Sequence, residues 1–360
     1  MKNILVSTIS FHMGDFIWAS SALAAIKKTY PQTKITVIVP KNLKDLAQNN
    51  PAIDDVIYSL YSSVGLAFKI KQFLWNLKNI LRIFFSHYDA CIILAQSRLT
   101  ILIAKICRIP HIVGMDLCLN RDNPYPLSAH YTDIVKAFHN QSKLHVALRF
   151  QNIVKGFLGI YNNASPVLPD PSNFADSAKR FLKTRRKKSI ALCISGDKQK
   201  RNLSVNEWKI SNCAEVIKTL SRKFDASFYV LGTGSDFNKA NELAGMRNVY
   251  NLCGKTSVGE ALYILSQMDL CISVDTGILH LAAAANIPVI ALHGHCPPQR
   301  TGGMSSKVRA IYHVIECSNR IWEAKDEYFC PYLESPRCME AITPDEIVSV
   351  ATEILDEESK

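Results

Sequence analysis

Short runs of β-branched and other apolar residues, each followed by a helical stretch, recur along this chain and start again after one proline-rich break. In the first half the spacing predicts strands at Ile4 to Ser7, Ile35 to Val39, Val56 to Leu60, Ala90 to Leu94 and Ile112 to Met115. Helices are predicted between them at Phe16 to Thr29, Lys41 to Gln48 and Leu99 to Cys107. Runs so short and so continuously apolar fit strands buried on both faces, as in a parallel sheet covered by helices. Tyr30-Pro31 ends the first helix, because proline has no N–H to continue the ladder.

The break reads Asn162-Asn163-Ala164-Ser165-Pro166 and then Pro169-Asp170-Pro171-Ser172, a turn-forming composition. Beyond it the alternation resumes, with strands at Ile190 to Ile194, Ser227 to Leu231, Leu270 to Val274 and Val289 to Leu292. The helices there are Val205 to Phe224, Phe237 to Ala244, Val258 to Gln267 and Gly277 to Ala285. The expected fold is α/β, with Rossmann-like domains over residues 1–165 and 172–340. Residues 341–360 form a last helix, opened by the capping sequence Thr343-Pro344-Asp345-Glu346 and expected to lie back against the basic first domain.

Composition narrows the class. At 48% hydrophobic and 20% charged, the chain builds cores and is not a disordered polymer. A membrane-spanning helix needs about 20 apolar residues. The stretch from Leu81 to Ile112 carries Arg82, Asp89, Arg98, Lys105 and Arg108, and that from Thr276 to Gln299 holds His280, Asn286, Pro288, His293 and His295. The N-terminal Met-Lys-Asn-Ile-Leu-Val-Ser does not read as a signal peptide. The 11 cysteines include no Cys-x-x-Cys pair, and Cys317, Cys330 and Cys338 match no compact metal spacing, so buried thiols, a cytoplasmic location and no bound metal are expected.

The formal net charge of +11 is unevenly spread. Residues 1–170 contain 18 Lys and Arg against 9 Asp and no Glu, whereas the 45 residues from Glu316 onward hold 4 basic and 12 acidic side chains. A basic first half points to a polyanionic partner: nucleic acid, anionic lipid or a phosphorylated substrate. No nucleic-acid reading module is present, which argues against the first. In Val64 to Tyr88, Leu66, Phe73, Leu77, Leu81 and Phe84 recur at largely helical spacing with Lys69, Lys71, Lys78 and Arg82 interleaved. This pattern fits a helix lying on an anionic membrane surface, and equally an amphipathic helix on a domain core.

Ligands of open parallel sheets bind at strand carboxyl ends, where the next helix presents free N–H groups to phosphate. Two stretches fall there. In Leu270 to Ala284 a strand runs to Asp275, Thr276 stands at the helix cap and Gly277 lets an anion approach the backbone, with His280 four residues after Thr276. A diphosphate would sit over these N–H groups with Asp275 free to hold sugar hydroxyls; the alternative is a plain strand-cap-helix corner with a packed His280. In His12-Met13-Gly14-Asp15, after the first strand, Asp15 is either a helix cap or a general base. Lys198, Lys200 and Arg201 follow the first strand of the second half and are candidates to neutralise a departing diphosphate. Gly232 and Gly234 make a tight turn but lack the third glycine and the acidic ribose partner of a dinucleotide fingerprint, which argues against a nicotinamide-dependent oxidoreductase.

Met13-Gly14-Asp15, Tyr30-Pro31, Asn50-Pro51 and above all Ser273-Val274-Asp275-Thr276-Gly277 through His280 to Gly294 resemble the heptosyltransferases of glycosyltransferase family 9. The resemblance implies a GT-B fold, two Rossmann-like domains facing across a cleft, with the donor held by the C-terminal one. It also implies metal-independent, inverting transfer from a nucleotide sugar, typically ADP-heptose, to a lipid-linked core oligosaccharide. By that resemblance Asp15 is the catalytic base, with His12 and Gly14 beside it. Thr276 and Gly277 bind the diphosphate, Asp275 the donor sugar, and His280 supports the phosphate or the site geometry. The family's lysine falls at Lys200 or Arg201, where Asn202 and Leu203 replace the aromatic residue and proline that often follow it. His295-Cys296-Pro297-Pro298 replaces the usual small polar turn after Gly294 and leaves the donor's base and sugar open. A family 9-like transferase using another nucleotide sugar, and a non-catalytic nucleotide-sugar-binding protein, are the alternatives; no cofactor is implied. The implied location is cytoplasmic, at the inner face of the membrane.

Overall fold

Both halves of the chain wind a six-stranded parallel sheet outward from a central strand, first one way and then the other. The computed structural model describes residues 1–9, 11–59, 77–94, 97–116, 130–136, 144–160, 163–182, 186–196, 206–316, 318, 330, 332 and 335–357. It divides into two units, Met1–Asp170 and Pro171–Lys360, so the boundary falls inside the proline-rich break.

In the first unit, β1 (Asn3–Ser7), β2 (Lys34–Pro40), β3 (Asp55–Ser59), β4 (Ala90–Ile93), β5 (His111–Asp116) and β6 (Asp133–Lys136) stand in the order β3-β2-β1-β4-β5-β6. The winding direction reverses between β1 and β4, which pair in parallel from Ile4 opposite Ala90 to Ser7 opposite Ile93. One side of the sheet carries α1 (Met13–Thr29), with the short α2 (Lys44–Ala47) near β2. The other side gathers Leu5, Cys91, Ile93 and Ile112 into a core with Ile83 of α3 (residues 77–85) and Ile101 and Ala104 of α4 (Arg98–Ile106). The helix α5 (Val146–Leu158) returns to α1, where Gln151 Nε2 donates to Ser21 Oγ at 2.9 Å.

The second unit repeats the plan. Its strands β7 (Lys188–Cys193), β8 (Ala226–Val230), β9 (Val249–Asn251), β10 (Leu270–Val274), β11 (Val289–His293) and β12 (Val308–Tyr312) stand in the order β12-β11-β10-β7-β8-β9. The short α6 (Ala175–Ala178) leads in, α7 (Ile210–Lys223) follows β7, α8 (Phe237–Asn241) follows β8, and α9 (Val258–Ser266) precedes β10. After β10 comes α10 (Gly277–Ala284), and after β11 the one-turn α11 (Pro298–Thr301).

Several expectations are corrected. The helix expected from Phe16 starts at Met13: His12 is the N-cap and Met13 to Asp15 the first turn of α1, so Asp15 stands at the third helical position and not at the cap. The helix expected from Val205 starts at Ile210. Strands β6, β9 and β12 and helix α5 were not anticipated. β12 lies at a sheet edge with a half-exposed pattern and β9 has three residues, so neither shows a continuous apolar run. A buried glutamine, Gln151, interrupts the apolar stripe of α5. Of the segment Val64 to Tyr88, residues 64–76 lie outside the described residues.

The C-terminal helix Pro344–Glu357 belongs to the second unit. Its apolar side, Ile347, Val348, Ala351, Ile354 and Leu355, is built into the core formed by α7, β10 and β11. Its acids pair locally, Glu346 with His313 at 2.9 Å and Glu353 with Arg309 at 2.7 Å. Burial of this apolar side in its own unit holds the helix, because apolar area removed from water outweighs the attraction between solvated charges. Leu355 is fully buried. Leu355→Ala should cost about 2–5 kcal/mol in chemical denaturation, and a loss below about 0.5 kcal/mol, the scale of a surface substitution, would remove the helix from this core.

Candidate active site

The reversal between β7 and β10 places the corner that follows β10 beside the end of β7. Residues Leu270 to Val274 are buried, as are Ile278 to His280, while Asp275, Thr276 and Gly277 between them are partly exposed. Thr276 occupies the N-cap of α10 with extended backbone, φ −149° and ψ 175°, but its hydroxyl makes no cap hydrogen bond. It lies instead 3.6 Å from Cys193 Sγ and 3.5 Å from Ser273 Oγ. The expectation of a side-chain cap is corrected to that extent. The first N–H groups of a helix have no intrahelical acceptor. With the Thr276 hydroxyl making no cap bond, those of α10 are left uncapped by it at the positive end of the helix dipole, where Gly277 is partly exposed, a geometry suited to phosphate.

Asp275 is not free to hold a ligand through both oxygens. Its Oδ2 accepts a 2.7 Å hydrogen bond from Thr301 Oγ1 of α11 and lies 3.6 Å from His293 Nδ1. Its Oδ1 lies 3.5 Å from His280 Nε2. Burial by itself raises the carboxyl's pKa, but the two imidazoles outweigh it and hold Asp275 well below the usual carboxylate range. The main chain is fixed as well: Asn206 Nδ2 donates to the Asp275 carbonyl at 3.1 Å, and the Asp275 N–H donates to the Leu292 carbonyl at 3.1 Å. With its NH₂ so committed, Asn206 offers Oδ1 as an acceptor to His295 Nδ1 at 2.8 Å, which places the His295 proton on Nδ1. Burial lowers the pKa of His295 and so favours the neutral ring.

His293, Thr301, Asn206 and His295 were not singled out as site residues in the sequence. The one local signal was His293, a polar residue ending the apolar strand β11, whose register sets Leu292 opposite Val274. His280, by contrast, is both packed and part of the site, 4% exposed and against Asp275.

The remaining candidates separate. Gly232 and Gly234 flank Thr233, whose N–H and hydroxyl both donate to Asp236 Oδ2, at 2.8 and 2.7 Å. Asp236 Oδ1 accepts from Ser195 at 2.5 Å, so this turn braces the end of β7. A Cβ on Gly232 would meet Asp236 Oδ2 at 3.0 Å and Cys253 Sγ at 3.1 Å. Gly294 faces Met339 Sδ and Cys338 Sγ, which an added Cβ would meet at 2.6 and 3.2 Å, so its smallness serves packing under the corner. That contact also gives buried Cys338 a structural place. Lys198, Lys200, Arg201 and Cys317 lie outside the described residues, and no metal-holding group of three or more His, Cys, Asp or Glu occurs among the described ones.

In the first unit Asp15 lies in the first turn of α1, the helix that follows the central strand β1. Its Oδ2 accepts the His12 N–H at 3.3 Å, as an N3 acid of a capping arrangement does. It is partly exposed, and His12 is exposed. Asp15 thus has an identifiable structural role and remains within reach of solvent.

Asp275→Asn should lower stability at pH 7 by about 3–5 kcal/mol, the scale for removing one partner of a buried charge pair. Because folding depresses this carboxyl's pKa, the contribution is full above the unfolded-state value near ~4 and declines below it. Thermal melts of wild type and variant should therefore converge on acidification, and a constant gap from pH 7 to pH 2 would refute the charge assignment.

The model of glycosyltransferase family 9 (heptosyltransferase) matches residues 79–327. Lipopolysaccharide heptosyltransferase 2 of Escherichia coli K12 is 23% identical over 323 residues, covering 84% of this chain and 87% of that protein. Lipopolysaccharide heptosyltransferase 1 of Campylobacter coli is 23% identical over 363 residues, covering 96% and 97%. Among solved structures, E. coli ADP-heptose lps heptosyltransferase II superposes with a TM-score of 0.78 at 20% identity over 100% of both chains. A glycosyl transferase of family 9 from Veillonella parvula gives 0.77 at 20% identity, over 99% of this chain and 97% of its own. Two Rossmann-like units in a chain with these structural neighbours constitute the GT-B fold. With its family model matched over most of the chain, this protein belongs to glycosyltransferase family 9.

Proposed function

We propose that this glycosyltransferase moves heptose from ADP-heptose to a lipid-linked lipopolysaccharide or lipooligosaccharide core acceptor, with inversion and without a metal, at the inner face of the cytoplasmic membrane. The observation that carries the reading is the corner at Asp275, Thr276 and Gly277, with α10 N–H groups uncapped by side chains at a sheet reversal point. The relatives named above are heptosyltransferases, and E. coli WaaC has been solved with ADP and with ADP-2-deoxy-2-fluoro heptose.

The reaction needs three things from the protein. A base must take the proton of the acceptor hydroxyl as its oxygen attacks the anomeric carbon. The bond from that carbon to the diphosphate oxygen then breaks, and its electron pair leaves with ADP. Asp15 is the base: a carboxylate at the start of α1, partly exposed, with its charge beside the positive end of that helix. Asp275 cannot share that task, since His280, His293 and Thr301 hold it ionised and poorly basic. Its part is to fix the corner so that the N–H groups around Gly277 meet the departing diphosphate, whose charge they stabilise together with Lys200 or Arg201. Any direct contact from Asp275 to the donor sugar uses what its present partners leave.

Calorimetric titration with ADP-heptose, UDP-sugars, GDP-sugars and NAD, without added metal, tests the donor. ADP-heptose should bind selectively; selection of another nucleotide sugar would withdraw heptose, and binding of NAD alone would overturn the reading. Asp15→Ala should lower turnover by about 10²–10⁴-fold, the usual contribution of a positioned base, with donor affinity nearly unchanged. Normal turnover in Asp15→Ala would remove the base assignment.

A further inference from the structure

We propose that the outer faces of α3 and α4 in the first unit form a docking surface for an anionic phospholipid bilayer. Eleven large hydrophobic side chains are exposed among the described residues, and seven of them belong to these two helices. On α3 they are Leu77, Leu81, Phe84 and Phe85, the last 69% exposed. On α4 they are Leu99, Leu102 and Ile106, the last two 54% and 52% exposed. The spacing in each helix is that of one face, i, i+4, i+7 on α3 and i, i+3, i+7 on α4. Soluble surfaces scatter such residues singly, whereas a clustered patch marks an interaction site.

The two faces belong to one surface. Both helices pack on the same core, Ile83 from α3 and Ile101 and Ala104 from α4. They are also joined where Cys107 Sγ lies 3.6 Å from the Ile80 carbonyl. On α4 the residues spent on the core, Thr100, Ile101 and Ala104, stand opposite the exposed stripe, so core packing does not account for that stripe. Phe84 and Phe85 meet edge to face at 5.4 Å and present aromatic rings outward, as interfacial anchors do.

Charge selects the partner. Residues 77–88 and 98–110 contain Lys78, Arg82, Arg98, Lys105 and Arg108 and no Asp or Glu. Only Arg82 has an ion-pair partner among the described residues, Asp55 at 2.5 Å. Each cation near an anionic membrane surface adds to binding, while leucine and phenylalanine enter the acyl boundary. A neutral apolar partner would leave these cations unmatched, and a nucleic acid would leave the apolar stripes unused. The surface gives the proposed lipid-linked reaction its place at the membrane, and rests on that reading for the presence of a bilayer.

The test is cosedimentation of the whole protein with vesicles of phosphatidylethanolamine and phosphatidylglycerol, against phosphatidylcholine alone. The wild type should partition onto the anionic vesicles, and less so as salt is raised. Leu102→Glu with Ile106→Glu, at exposed positions that leave the core intact, should lower partitioning about tenfold or more. Arg98→Gln with Lys105→Gln should lower it about tenfold or more on the anionic vesicles alone, at roughly fivefold per charge. Transfer to a deacylated, water-soluble acceptor should be unchanged in both variants. Wild-type partitioning by the glutamate variant would overturn the proposal. So would its conversion from dimer to monomer in sedimentation velocity, which assigns the face to a second copy of this chain. Lost vesicle binding in a protein that transfers no sugar from any donor would uphold the surface and refute the proposed function instead.

Discussion

A parallel sheet wound outward from one central strand in both directions has one place where neighbouring strands send their following helices to opposite faces, and no connection closes over the strand ends there. In this chain that constraint operates twice, between β1 and β4 and between β7 and β10. Everything polar in the candidate site is arranged by it. Asp275 continues β10 past its last sheet residue, Ser195 lies two residues beyond β7, and the buried strands beneath bring Ser273 and the Cys193 thiol up to Thr276 and His293 up to Asp275.

Such a place favours a carboxylate only if its charge is matched. Desolvating an ion costs several kcal/mol even after the protein relaxes, and Asp275 is compensated by a hydroxyl from α11, an imidazole from α10 and another from the end of β11. The consequence is chemical. Each unit has an aspartate close to a strand-to-helix junction, but Asp275 is held ionised inside a shell of donors while Asp15 sits at a helix start in partial contact with solvent. Environment, not residue type, separates a group that shapes an anion site from one able to accept a proton.

The first unit carries a second asymmetry. One side of its sheet is covered by α1 and α5, joined through Gln151 and Ser21, and the other by α3 and α4, which leave apolar stripes outward. Covering a sheet requires only the inner face of each helix, so apolar residues on the outer face answer to something other than folding. The second unit finishes differently, with the C-terminal helix adding its apolar side to the core and spending its acids on Arg309 and His313.

The α/β class, the break near residue 170, and strand β10 with helix α10 and the corner at Asp275 and Thr276 between them were legible in the sequence. Each is written locally, as a run of buried residues, a turn-rich stretch or a strand-corner-helix motif spanning a dozen residues. Edge strands β9 and β12 were not legible, since half-exposed strands lack the continuous apolar run that signals burial. Nor was the committed state of Asp275. The hydrogen bond from Thr301 spans 26 residues and that from Asn206 spans 69, and both depend on the order in which the strands assemble. Sequence by itself determined which segments become strands and helices, because periodicity and capping act between near neighbours in the chain. Only the tertiary structure decided which polar groups meet at the strand ends and which apolar faces stay outside, because those outcomes are set by contacts between segments far apart in sequence.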